Sequence, residues 1–232
     1  GTGVLTLTDG SIDLNGNTLS FSNSSTSIAT GTITGSNTAI IIINGTGTFG
    51  DGLAMDQTSA ITRTLRTLDF DRLGQDIVLA SDLTISNSMI SRNGSCSIGA
   101  NTLLLEGDYT STSGDLKGTI LSNLTINGLN PITSAIVFDL GANNLGTLTM
   151  NRGSETLTLG TDLNIATALV ITAGTVSNGG NIIDGSTGAA LNLAAGSNLT
   201  LNGTTTFPTF TSETIDRAST IEYAGGVQTV AV

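Results

Sequence analysis

Two carboxylates stand close together in one short stretch of the sequence, next to a cation. Asp69 and Asp71 flank Phe70 and are followed by Arg72. Because alternate side chains of an extended strand share a face, the two carboxylates are expected to point the same way. A pair of carboxylates held at a fixed separation can carry out acid–base chemistry, such as the cleavage of a polysaccharide.

The matching stretch further along the chain does not keep these acids. An offset of 149 − 69 = 80 in residue number places Thr149, Asn151 and Arg152 at the corresponding positions. The chain also contains no His, the most common general base and metal ligand. We therefore expect Asp69 and Asp71 to be solvated surface charges, with a weak cation site as the alternative. No catalytic residue and no cofactor are expected.

The sequence repeats itself. In each copy a glycine is followed seven positions later by an asparagine, and the number of the glycine rises by 94 − 10 = 84 and then by 174 − 94 = 80. The repeated pairs are Gly10 and Asn17, Gly94 and Asn101, and Gly174 and Asn181. They predict super-repeats of about four coils over 10–93, 94–173 and 174–232, the last incomplete, within one continuous unit over 1–232. We expect the three glycines to turn the chain at positive φ.

Two kinds of charged residue also recur in register. They are Arg72 and Arg152, and Asp82 and Asp162. One interpretation is a surface stripe that binds a sugar or a partner chain. The other is structural: the arginine side chain covers the corner of a coil, and the aspartate precedes an apolar strand.

The elements around these positions are short strands. Aliphatic residues alternate with hydroxyl or amide residues, as in Asp82–Ile85 and Asn198–Leu201, and turn pairs such as Asn127-Gly128 separate the strands. The fold class is therefore all-β. We expect a parallel β-helix, or β-solenoid, of about 10–12 coils. The alternative is a tandem of immunoglobulin-like β-sandwiches of about 80 residues each; the absence of Trp and the 3% aromatic content favour the β-helix.

The β-helix predicts which side chains lie inside, because one aliphatic face of each strand must form stacked columns. The residues expected there are Leu68, Leu83, Ile85, Leu148, Leu163, Ile165, Leu199 and Leu201. Cys96 takes the place of Ile12 and Val176 in the other copies, so it should be a buried structural thiol.

The composition argues against several partners. Seven basic residues against eighteen acidic ones give a net charge of −11, which disfavours nucleic acid and an anionic bilayer surface. The longest apolar run, Ala39–Ile43, is far shorter than the roughly 20 residues that span a membrane, so no membrane insertion is expected in this segment. The run Gly179–Asp184 lacks the glycine and aspartate spacing of calcium-binding repeat loops.

Four runs, Gly141–Met150, Leu157–Ile165, Gly174–Val176 and Ser219–Val230, resemble the β-strand repeats of very large secreted surface proteins of Bacteroidetes-type bacteria. More loosely, the chain is similar to filamentous-haemagglutinin-like and autotransporter passenger solenoids. The resemblance implies a non-catalytic extracellular or cell-surface rod, adhesin-like or filament-forming, that is a segment of a longer protein. Its partners would be polysaccharide, other surfaces or sister chains, and the last of these includes end-to-end assembly.

An ice-binding solenoid is a different hypothesis, and a polysaccharide-processing β-helix enzyme is a third. Flat solenoid faces with Thr-x-Thr arrays order water, and such motifs begin at Thr6, Thr30, Thr46, Thr62, Thr147 and Thr156. From each motif to the next, the residue number rises by 24, 16, 16, 85 and 9. Such irregular spacing argues against a continuous threonine face.

Overall fold

A computed structural model of the protein describes residues 5–22, 26–28, 30–46, 49–204 and 206–228, with the side chains of 26–28 left out. Residues 1–4 and 229–232 of the expected 1–232 unit lie outside the described residues. The described residues form strands and no helix. The strands are β1 (Leu5–Leu7), β2 (Ser11–Asp13), β3 (Thr18–Ser22), β4 (Thr26–Ile28), β5 (Thr32–Thr34), β6 (Ser36–Asn44), β7 (Thr64–Val78), β8 (Leu83–Ser97), β9 (Thr102–Leu105), β10 (Asp108–Ser111), β11 (Asp115–Gly118), β12 (Asn123–Asn127), β13 (Phe138–Thr158), β14 (Leu163–Ser177), β15 (Ile183–Gly185), β16 (Ala190–Leu193), β17 (Asn198–Leu201), β18 (Ser212–Ile215) and β19 (Thr220–Tyr223).

Each coil of the chain has three sides. Three segments of β8 pair with three later strands: Leu83–Ile85 with β9, Ser88–Ser91 with β10 and Ser95–Ser97 with β11. We call the sides that contain these segments A, B and C, in that order. β14 pairs in the same manner with β15, β16 and β17.

All pairings between the described strands are parallel. Immunoglobulin-like sandwiches are built from antiparallel strands. The sequence prediction of a parallel β-solenoid is therefore confirmed, and the alternative of tandem sandwiches is wrong.

One column of residues on side A runs through nine consecutive coils. Its members are Ser36, Leu65, Ile85, Leu105, Ile126, Met150, Ile171, Leu193 and Ile215. Eight steps along the column raise the residue number from 36 to 215, so one coil averages about 22 residues. The described residues make about ten coils, and neighbouring coils lie about 4.8 Å apart.

The interior of the solenoid is filled mainly by aliphatic side chains. All eight residues predicted to lie inside are buried, with exposed fractions of 1% or less. Cys96 is also buried, in a column on side C between Ile77 and Leu116. Burial, together with the nearby charge of Asp76, raises the pKa of its thiol to about 12. The thiol is therefore protonated at neutral pH, as expected for a structural cysteine.

The sequence repeat is not a whole number of coils. Leu68 and Leu148 are equivalent positions of the sequence repeat, but they do not lie in the same column. The column below Leu148 contains, one residue in each coil, Leu124, Leu103 and Leu83. Three coils thus raise the residue number from 83 to 148, so that a repeat of about 80 residues covers about 3⅔ coils rather than the four expected. Equivalent residues of the second and third copies consequently lie on different sides of the solenoid.

The three repeated glycines have the positive φ that the sequence predicts. The angle is 82° at Gly10, 82° at Gly94 and 83° at Gly174. A Cβ atom would overlap the carbonyl oxygen of Arg72 if added to Gly94, and that of Arg152 if added to Gly174. At Gly10 no described atom lies within 4 Å of the same position. Gly94 and Gly174 are thus required both for their φ and for the close approach of the coil below.

Truncation of a core leucine is expected to destabilise the solenoid. Leu163 is 1% exposed, so Leu163→Ala should lower the free energy of unfolding by roughly 2 to 5 kcal/mol. Leu140 is 77% exposed, and Leu140→Ala should change it by less than about 0.5 kcal/mol. Urea unfolding followed by circular dichroism measures both. Equal losses for the two variants would show that the strand register is wrong.

Two glycine substitutions separate backbone strain from steric overlap. Gly10→Ala should cost about 1 kcal/mol of stability, because only the left-handed conformation opposes it. Gly174→Ala should cost about 2 to 4 kcal/mol, because its Cβ also collides with the carbonyl oxygen of Arg152. The difference between their denaturation midpoints tests the argument, and it fails if Gly174→Ala is the milder change.

Candidate functional surface

Arg152 is a buried cation that joins three coils. Its guanidinium lies at the corner between sides A and B, and the residue is 1% exposed. Nε donates to the carbonyl oxygen of Asn127, in the coil below, at 3.0 Å. Nη2 donates to the carbonyl oxygens of Leu105 and Gly107, two coils below, at 2.9 and 3.1 Å. Nη1 adds a bond to the carbonyl of Asn130. One side chain therefore satisfies backbone acceptors in two lower coils.

Arg72 is the repeat equivalent of Arg152 and is fully buried. It lies at the corner between sides B and C, and its Nε donates to the carbonyl oxygen of Asn44, in a lower coil, at 3.2 Å. Burial lowers the pKa of both guanidinium groups. The hypothesis of a surface stripe is wrong for both arginines, because neither reaches solvent and the two lie at different corners.

Asp82 and Asp162 continue the backbone hydrogen bonding between coils. Oδ1 of Asp82 accepts the backbone N–H of Thr102 at 2.8 Å, and Oδ1 of Asp162 accepts that of Ile182 at 2.7 Å. In both pairs the donor belongs to the next coil. Oδ2 of Asp82 also lies 4.0 Å from Nη1 of Arg63. Both side chains are partly exposed, so this ion pair contributes little to stability. The structural interpretation of the repeated charges is the one that this geometry supports.

The repeated asparagines also bind backbone at corners. Their side-chain amides donate to carbonyl oxygens, from Asn17 to Leu14 at 2.9 Å, from Asn101 to Leu79 at 2.7 Å, and from Asn181 to Leu159 at 3.0 Å. The second and third acceptors lie in the coil below. Glycine and asparagine therefore recur together because the glycine adopts the positive φ of the turn and the asparagine side chain donates to a backbone carbonyl at a corner.

Asp69 and Asp71, the carboxylate pair of the sequence, are held by different partners in the coil above. Arg92 donates to both oxygens of Asp69, at 2.9 and 3.0 Å, and this bonding raises the pKa of Arg92. Nδ2 of Asn93 donates to Oδ1 of Asp71 at 2.6 Å. The side chain of Asp69 is 18% exposed, so it is less solvated than expected. Both acids serve contacts between coils.

Lys117 links acids of other coils on side C. Its Nζ lies 2.8 Å from Oδ1 of Asp76, two coils below, and 3.8 Å from Oδ2 of Asp139. Hydrogen bonding to Asp76 raises the pKa of Lys117. These partly exposed pairs are screened by solvent and contribute modestly to stability.

A groove of about 570 Å³ lies beside the segment Thr206–Thr209, near the corner of Asp162 and Asp184. Hydroxyl and carboxylate groups line it together with Phe207. Within the described ranges, no three His, Cys, Asp or Glu residues come close enough to bind a metal ion. The same part of the chain contains no helix of the length and hydropathy needed to cross a membrane.

Side A carries a regular outer surface, which we call the neutral array. Its inward residues are Leu103, Leu124, Leu148, Leu169 and Leu191; in the sixth coil the equivalent position holds Glu213, which is exposed. The outward residues on either side of them define the array: Thr102 and Leu104, Asn123 and Thr125, Thr147 and Thr149, Ala168 and Val170, Ala190 and Asn192, and Ser212 and Thr214. None of these twelve is charged.

The other two sides present charges at their outward positions. They include Asp69, Asp71 and Asp108 on side B, and Asp115 and Lys117 on side C. In a chain of net charge −11, the neutral array is therefore a distinct surface.

Sequence reasoning missed the neutral array because it followed threonine alone. The array shares positions rather than residue types, and its regularity is visible only when each strand is aligned on its buried leucine. On that alignment, from Leu103 through to Glu213, the residue number rises by 21, 24, 21, 22 and 22 from one coil to the next. The irregular Thr-x-Thr spacing therefore does not describe the spacing of this surface.

Comparisons with models of protein families, with curated proteins and with solved structures found no match to the chain.

Removal of the Arg152 guanidinium should destabilise the stack strongly. Arg152→Met removes the hydrogen bonds that the guanidinium donates to the carbonyl oxygens of Asn127, Leu105 and Gly107, so it should cost about 3 kcal/mol or more. Arg66 is exposed, and Arg66→Met is a control that removes the same charge with little expected change. Chemical denaturation compares the two variants. A loss for Arg152→Met no larger than that for Arg66→Met would contradict the proposed role.

Proposed function

We propose that the chain is a non-catalytic structural and adhesive rod of a large bacterial surface or filament-forming protein, located outside the cell. Its lateral surface contacts polysaccharide, another surface or sister chains. The observation that carries the proposal is the use of charged and amide side chains to join coils. Arg72, Arg152, Asp82 and Asp162 all bind backbone groups of a neighbouring coil.

The carboxylates that the sequence offered for chemistry fit the same role. A general acid or base must reach the proton that it transfers. Both oxygens of Asp69 are occupied by Arg92, and Asp71 binds Asn93. This arrangement favours a scaffold over the alternative of a polysaccharide-processing enzyme.

The acidic exterior also suits a rod outside the cell. Eighteen acidic and seven basic residues leave a large negative charge, which opposes the collapse of one rod onto another. The resemblance of Gly141–Met150 and Leu157–Ile165 to secreted surface repeats supports the same location.

The proposal is tested by measuring adsorption and turnover on the same material. The full chain is passed over films of neutral and acidic polysaccharides and over bare mineral and plastic surfaces on a quartz crystal microbalance. Released reducing sugar is assayed in parallel, with Asp69→Asn and Asp71→Asn as comparison proteins. We expect adsorption to at least one surface and no released sugar.

Two outcomes contradict the proposal. Sugar release by the natural chain that either aspartate substitution abolishes would make the protein an enzyme. Adsorption to none of the films would remove the adhesive part of the proposal.

A further inference from the structure

The neutral array is a lattice of fixed dimensions. Paired strands place equivalent side chains about 4.8 Å apart along the solenoid axis, and alternate residues of one strand lie about 6.7 Å apart across it. Two outward positions in each of six coils give two columns of six side chains. The spacing repeats in both directions, as the surface of a crystal does.

The pairing beneath the array is regular. No register shift interrupts the pairings of β12 with β9 and β13, of β16 with β14, or of β18 with β16. The stretch Thr147–Met150 is likewise aligned residue by residue with β14. The leucines below are buried, whereas the array residues of the first five coils are partly exposed. The lattice is thus held in place by the backbone ladder.

The polar groups of the array are available to water. Within the described part of the chain, the side chains of Thr125, Thr147 and Thr149 form no hydrogen bond with protein. Loop threonines differ: the hydroxyl of Thr58 donates to Asp56 at 2.8 Å, and that of Thr62 donates to the carbonyl of Asp56 at 3.0 Å. Each array threonine therefore offers a hydroxyl and a methyl group to the same layer of solvent.

The chemistry of the array selects the kind of partner. All twelve residues of the array are uncharged, and the neighbouring charges lie at its two ends: the Arg63–Asp82 pair beside Thr102, and Glu213 in the sixth coil. A charged ligand would therefore meet no opposite charge in the middle of the array. The array also holds no Phe, Tyr or Trp, the side chains that offer a flat apolar face to a sugar ring. A neutral, hydrogen-bonding solid whose repeat matches small hydroxyl and methyl groups is the complementary surface.

We propose that the neutral array binds ice, by holding surface water at lattice positions that continue into the ice crystal. The inference rests on the proposed non-catalytic role and names the solid that one side of the rod contacts. Side A is the binding side, and sides B and C, which carry the pairs Asp69–Arg92 and Asp76–Lys117, remain in liquid water.

The test uses the full chain and ice itself. Thermal hysteresis and inhibition of ice recrystallisation are measured for the natural chain, for Thr149→Lys in the centre of the array, and for Thr158→Lys. Thr158 lies on the same strand, β13, is half-buried like Thr149, and faces outward on side B next to Ser177. We expect activity in the natural chain, its loss in Thr149→Lys and its retention in Thr158→Lys. Circular dichroism confirms that each variant is folded.

Further variants keep the test decisive if Thr149→Lys does not fold. Thr125→Lys places the same charge one coil lower, and Thr149→Val keeps the shape while it removes the hydroxyl. Both should lower hysteresis in a folded protein. Equal activity in the array variants and in Thr158→Lys would overturn the assignment to side A.

Absence of hysteresis and of recrystallisation inhibition in the folded natural chain would overturn ice binding and leave the proposed rod in place. Adsorption to crystalline polysaccharide that Thr149→Lys abolishes, without ice activity, would assign the array to a carbohydrate surface instead. Sugar release would overturn the proposed function itself.

Discussion

Parallel stacking of one coil on the next is the constraint on which the rest of the structure depends. Each inward side chain has another directly above it at about 4.8 Å, so most coils supply an aliphatic group at the same positions. The column from Leu65 to Leu193 meets this demand in seven consecutive coils with Leu, Ile and Met. The outward positions carry no such demand, and there the residue types change from coil to coil.

Corners are where stacking alone is insufficient. A turning backbone cannot keep every N–H and C=O in the ladder, and a buried polar group without a partner is costly. The chain meets this cost with side chains: Asn101 and Arg152 donate to carbonyl oxygens, and Asp162 accepts an N–H. Much of the chain's charge and amide content is therefore part of its backbone hydrogen bonding.

Several features of the fold could be predicted from local sequence. The inward leucines follow from alternation, and the positive φ of Gly94 and Gly174 follows from glycine at a turn. The burial of Arg152 could not be predicted, because arginine is almost always at the surface unless fully paired. Its partners are backbone carbonyls of lower coils, which no local pattern of residue types reveals.

The number of coils in one sequence repeat also could not be predicted from local sequence, because the length of a coil depends on how many residues each corner contains. Those corners vary: the coil from Leu124 to Leu148 is longer than the coil from Leu83 to Leu103. For the same reason the neutral array became visible only after the strands were stacked, since its members share a position above a leucine and not a motif.

Because one sequence repeat covers about 3⅔ coils, equivalent residues of successive copies are both translated along the solenoid axis and rotated around it. Each copy begins about two thirds of a turn further around the axis, so three copies, or about eleven coils, return the pattern to its starting corner. The corner formed by Arg72 and Gly94 is thus followed, at another corner, by that formed by Arg152 and Gly174. The hydrogen bonds by which Arg72 and Arg152 tie neighbouring coils together are therefore placed along different edges of the solenoid and not along one edge.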